Sequence, residues 1–125
     1  MSPNSVERFG PVSVDPGGSR ELLMHSPFTL SGRCDERPFG PGGTIDDAVL
    51  LFSSSSDYVG RVDFHGLSGN PAVLASSAAA GFTMDAEPFT ALAADGSEII
   101  GDVFVVSDVF GERKCWFGGY VIAGR

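Results

Sequence analysis

Residues 115–122, Cys115–Trp116–Phe117–Gly118–Gly119–Tyr120–Val121–Ile122, and residues 27–34, Pro27–Phe28–Thr29–Leu30–Ser31–Gly32–Arg33–Cys34, decide the fold between them. Both read as β-strands, and along a strand successive side chains point to opposite faces. Cys115 is in phase with Phe117 and Val121, and Cys34 with Phe28 and Leu30. Both sulfurs are therefore expected to enter one core. A Cys34–Cys115 disulfide would tie the first third of the chain to its last strand, which describes a closed β domain and no chemistry.

Working outward, further strand candidates follow at short intervals: Glu21–Met24, Thr44–Ser53, Tyr58–His65, Pro88–Ala93 and Glu98–Ser107, with residues 113–123 enclosing the last one. Glycine, proline and acidic turn clusters separate them, as in sandwiches and small barrels. Asp95–Gly96 and Gly111 supply turn positions that tolerate positive φ, so the last three strands are expected to pair as an antiparallel meander. Within residues 99–106 both phases are apolar, Ile99, Val103 and Val105 against Ile100, Phe104 and Val106. Such a strand is expected to be central and covered on both faces.

Two segments depart from this pattern. Residues 1–18 carry Pro3, Pro11, Pro16 and three glycines, and read as an irregular N-terminal arm with one short edge strand at residues 11–15. Residues 70–81 offer Asn70 as N-cap, Pro71 at the first helical position, a run of alanines and a terminal Gly81, which predicts a short helix. The expected fold is all-β, an antiparallel sandwich or jelly-roll-like barrel of seven or eight strands. One β domain over residues 19–125 follows the arm.

The 125 residues suffice for one real core. Mean hydropathy of +0.12 and a charged fraction of 19% exclude a disordered chain. Net charge is −8, and the cations, seven arginines and Lys114, nowhere cluster beyond Arg113–Lys114. A nucleic-acid footprint is basic, so none is expected, and anionic membranes are disfavoured for the same reason. No apolar run reaches the length of a membrane span, and the first thirty residues lack a signal-peptide pattern.

Candidate chemistry is sparse. If 58–65 is one continuous strand, Arg61, Asp63 and His65 share a face, and a carboxylate beside a histidine can serve acid–base work or hold a ligand. A polar row is equally what a half-exposed strand shows. The histidines, His25 and His65, and the cysteines lack the close pairs that zinc sites use, and no metal or cofactor is expected. Asp35–Glu36, Asp46–Asp47 and Asp85 with Glu87 are carboxylate pairs of the kind calcium uses, without a calcium-loop pattern. No nucleophile elbow or phosphate loop is present. Phe9, Phe39 and Phe110 fall in expected arms or turns, where a ring packs under a loop or meets a partner.

The two cysteine strands together with Asp95–Gly96 resemble small β domains of uncharacterised actinobacterial exported or surface proteins. The likeness spans most of residues 20–123 and implies a cysteine-paired sandwich with no catalytic residues to carry over. The expected role is a non-enzymatic structural or binding module of an extracellular, surface or particle-exterior assembly. A homo-oligomer is expected, a trimer before a dimer by analogy with fibre and decoration proteins, with a protein partner as the other possibility. The alternative is a small barrel that binds or isomerises a hydrophobic molecule, with Arg61, Asp63 and His65 as its polar groups.

Overall fold

The alternation in the two cysteine strands builds both halves of the core. In the computed structural model, which describes residues 5–80 and 84–124, β1 (Ser5–Val14), β2 (Ser19–His25), β3 (Phe28–Pro38), β4 (Thr44–Ser54), β5 (Tyr58–Val62), β6 (His65–Gly66) and β7 (Ala72–Ser76) precede one helical turn, α1 (Ser77–Ala80). β8 (Met84–Ala93), β9 (Glu98–Ser107) and β10 (Cys115–Gly124) follow. β3 buries Phe28, Leu30 and Cys34, and β10 buries Cys115, Phe117 and Val121. The strands form two antiparallel sheets, one of six in the order β1-β10-β9-β8-β5-β6 and one of four in the order β2-β3-β4-β7.

Because β3 and β10 lie in different sheets, their inward phases meet across the sandwich. The Cys34–Cys115 disulfide joins them there, with a Cα–Cα distance of 5.5 Å, inside the hydrophobic core. Beside it the Phe117 ring lies on the backbone of β3. A Cβ on Gly32 would come within 2.9 Å of that ring, so the absent side chain is what lets the two sheets close. Phe28, Phe52 and Phe89 fill the interior further along, with ring centroids 5.4 Å and 6.1 Å apart at the Phe28–Phe52 and Phe52–Phe89 contacts.

The C-terminal meander forms as expected. β8 pairs with β9 and β9 with β10. The Asp95–Gly96 turn closes with Ala93 N–H donating to Ser97 O at 2.8 Å, and Gly96 takes φ +92°.

Three expectations are corrected. The ten strands among the described residues exceed the seven or eight expected because β6 and β7 are added, and the short edge strand expected at residues 11–15 is the ten-residue β1. Pro11 interrupts β1 without ending it: the pairing with β10 shifts between Phe9 and Val12, a bulge at Gly10 and Pro11, and Phe9 enters the core. Residues 1–4 lie outside the described residues.

The helix expected over 70–81 is chiefly strand. β7 pairs antiparallel with β4, and Ala72 and Leu74 turn inward while Val73 is exposed. Asn70 does not cap a helix. Its side-chain Nδ2 donates to Ser54 O at 2.6 Å and its Oδ1 accepts from Ser54 N at 3.0 Å, so the amide imitates one more residue of the ladder. Among the described residues helical conformation is confined to Ser77–Ala80, and Gly81 lies outside them.

The third correction concerns residues 58–65. The chain reverses after Val62 through Asp63, at φ +52°, and Phe64, and Val62 then pairs with His65. Arg61, Asp63 and His65 are therefore not three steps along one strand face.

Candidate interaction face

Arg61 and Asp63 stand close for a reason different from the one expected. Arg61 Nε donates to the Asp63 carbonyl at 3.0 Å, bracing the turn, and both residues border a shallow groove on the outer side of the six-stranded sheet. His65 is on the return strand. All three are exposed, and none lines the phenylalanine-filled interior that a ligand-binding barrel would use. Glu87, noted in the sequence only for its pairing with Asp85, is close enough for Asp63 and His65 to act on it. Burial first, then the Asp85 and Asp63 charges, push its carboxyl above the usual range, against a smaller opposite effect of His65.

The acidic pairs are largely engaged by arginines. Arg33 binds Asp35 at 2.7 Å and Arg37 binds Asp47 at 2.7 Å. Asp46, fully buried, receives Arg113 Nε at 3.1 Å and Nη2 at 2.8 Å, and Arg113 also reaches Glu36 at 3.0 Å. The Asp46 backbone N–H donates to Asp108 Oδ2 at 2.9 Å. Burial raises the Asp46 pKa, but hydrogen bonds with Arg113 and Asp108 and the Arg113 charge outweigh it and hold the carboxyl below its ordinary value. Asp108 goes the other way, raised first by burial and then by the Asp46 side chain, which outweigh the opposite effect of the Asp46 backbone N–H. The cluster fastens the β9–β10 loop to the hairpin end of β3 and β4. Among the described residues no group of three or more His, Cys, Asp or Glu is placed to hold a metal ion.

The feature that remains is a sheet face. β9 lies between β8 and β10, and Ile99, Val103 and Val105 are buried against the second sheet. The opposite phase, expected to be covered as well, stays open: Ile100 is 50% exposed, and Phe104 and Val106 are only half-buried. Cross-strand register extends this surface on both sides. Val6 stands opposite Ile122, and Ile122 opposite Ile100. One row further, Arg8 stands opposite Tyr120, and Tyr120 opposite Asp102. At the far end Ser13, Trp116, Val106 and Met84 form another row.

The polar groups here are few. The Tyr120 hydroxyl donates to Asp102 Oδ2 at 2.6 Å, and that bond, with the Asp102 charge behind it, raises the phenol pKa. Pro11, Phe104, Val106, Phe110 and Trp116 enclose an apolar groove at the end nearest the β9–β10 loop, where Phe110 is 83% exposed. Lys114 Nζ sits 5.7 Å from the Trp116 ring centroid, a cation–π contact. The sequence carried a signal for this face in the doubly apolar run of β9 and in Trp116, Tyr120 and Ile122, which alternate with the core residues of β10.

The fold and face define a disulfide-crossed antiparallel β-sandwich with one apolar sheet surface turned outward. Compared with known protein families, curated proteins and solved structures, the chain matches none.

Proposed function

We propose that the protein is a non-enzymatic structural or binding module of an extracellular, surface or particle-exterior assembly, and that it joins that assembly through the outer face of its six-stranded sheet. The observation that carries this reading is the mainly apolar surface from Val6, Ile122 and Ile100 to Phe104 and Trp116, crossed at its middle by the Arg8–Tyr120–Asp102 row. Exposed apolar patches with a few polar groups mark contact sites more often than open surface. A ligand-binding barrel finds less support, since Phe28, Phe52, Phe89 and Phe117 pack the space such a ligand would need. The Cys34–Cys115 bridge is compatible with an oxidising environment, and among the described residues no helix is long and apolar enough to cross a membrane.

Hydroxyl-radical footprinting tests the reading. Side-chain oxidation in the native setting is compared with oxidation of the purified chain at high dilution. Protection of Ile100, Tyr120 and Phe110 in the native setting is the expected result. Equal oxidation in both settings overturns the proposal.

A further inference from the structure

We infer that the occupant of this face is a second copy of the chain, docked face to face about a two-fold axis that runs along β10 through Tyr120. The inference rests on reading the face as an assembly surface and specifies what covers it.

Charge placement selects a second copy. Among the outward residues of β1, β10 and β9, the charged ones are Arg8, Asp102 and, at the margin, Glu98, while Lys114, over the Trp116 ring just before β10, is paired with Glu112 at 2.8 Å. Arg8 lies one strand to one side of Tyr120 and Asp102 one strand to the other, each about 4.8 Å away in the pairing direction. Rotation by a half-turn about an axis lying in the face along β10 exchanges those two sides. Arg8 of each copy then faces Asp102 of the other, forming two identical ion pairs. The net charge of −8 would favour a basic partner, but a uniformly basic surface would meet Arg8 with like charge. Isologous contact satisfies both groups.

The apolar residues obey the same operation. Ile122 and Trp116, on the axis strand, each meet their own counterpart. Val6 meets Ile100, and Phe104 comes over the Gly10–Pro11 bulge, where β1 has no large side chain. Face-to-face sheets pack about 10 Å apart with strands roughly aligned, which accommodates these side chains.

Size is sufficient as well. β1, β9 and β10 are ten residues each. Three overlapping strands of that length cover roughly 14 by 34 Å, on the order of 500 Å² on each copy and about 1,000 Å² in total, the lower bound for a specific interface.

Sedimentation equilibrium of the purified, oxidised full chain provides the test. A concentration-dependent dimer is expected. Ile100→Lys, at a half-exposed position that folding does not require, should weaken it at least about ten-fold. Arg8→Asp and Asp102→Arg should each weaken it by roughly the same factor, and the double variant should return to within about three-fold of wild type, because both reciprocal pairs are restored. Circular dichroism confirms that each variant is folded. A trimer, a dimer indifferent to Ile100→Lys, or a double variant no better than the singles overturns the inference. A wild-type monomer at every concentration overturns it too; if Ile100 and Tyr120 are nevertheless protected in the native footprint, the face remains an assembly surface for a different partner.

Discussion

Phe117 and Gly32 fit each other across the sandwich, one ring occupying the space of one missing side chain. Phe117→Ala should cost about 3 to 5 kcal/mol, since the vacated volume lies between two disulfide-linked strands that cannot collapse freely into it. Chemical denaturation measures this, and a loss below about 1 kcal/mol would contradict the packing. Asp46 supplies a second residue-scale effect, visible in pH. Its pKa is held below the ordinary aspartate value, so its stabilisation is present above about pH 3.9 and lost as pH falls through the folded-state value. Asp108 has the opposite sign: its raised pKa contributes stability that is full at low pH and disappears as pH rises through that raised value. Asp46→Asn should therefore lose less stability than wild type below about pH 4, read as the urea midpoint across a pH series. Parallel acid limbs for the two proteins would show that Asp46 does not carry the effect.

At the scale of elements, β7 exists through partners that its own residues do not reveal. Asn70–Pro71 followed by alanines is a local helix-start pattern, yet the Asn70 amide bonds Ser54, sixteen positions earlier, and β4 supplies the rest of the ladder. Asn70→Ala should cost about 1 to 3 kcal/mol by stranding the nearly buried Ser54 groups, and should accelerate hydrogen exchange at the Ser54 amide. Unchanged exchange there would mean that the side chain does not extend the ladder. The contrast with β3 and β10 is physical: a strand with one buried face writes its period into its own residues, whereas a strand recruited by a neighbour does not. The reversal at Asp63 was hidden for a related reason. Period-two counting runs on through a turn marked by a single weak turn residue, and here that residue is Asp63 alone, at φ +52°. Asp46 and Arg113, 67 positions apart, were legible only as separate charges. The outer face is half legible: the second apolar phase of β9 shows in the sequence, but the expectation that both faces of the strand are covered fails, since Ile100 stays half exposed.

For the whole molecule, the disulfide links the two sheets and spans 81 positions, so its main effect is on the unfolded chain. A loop of that length loses conformational entropy worth about 4 to 5 kcal/mol in the loop-closure model, against a total of about 5 to 15 for an ordinary domain. The bridge joins β3 to β10, and its removal frees both the strand that closes the first hairpin of one sheet and the strand that β1 pairs with in the other. Cys34→Ala/Cys115→Ala should therefore lower the denaturation midpoint by an amount corresponding to several kcal/mol and increase the denaturant slope, because the unbridged unfolded chain exposes more surface. Alanine in place of the buried sulfurs also removes some packing, so the reduced wild-type protein is the second comparison; it keeps both side chains and isolates the cross-link. Reduced and oxidised proteins that unfold within about 1 kcal/mol of each other would mean that the packing of Phe117, Phe28 and Leu30 holds the sheets together without the bridge.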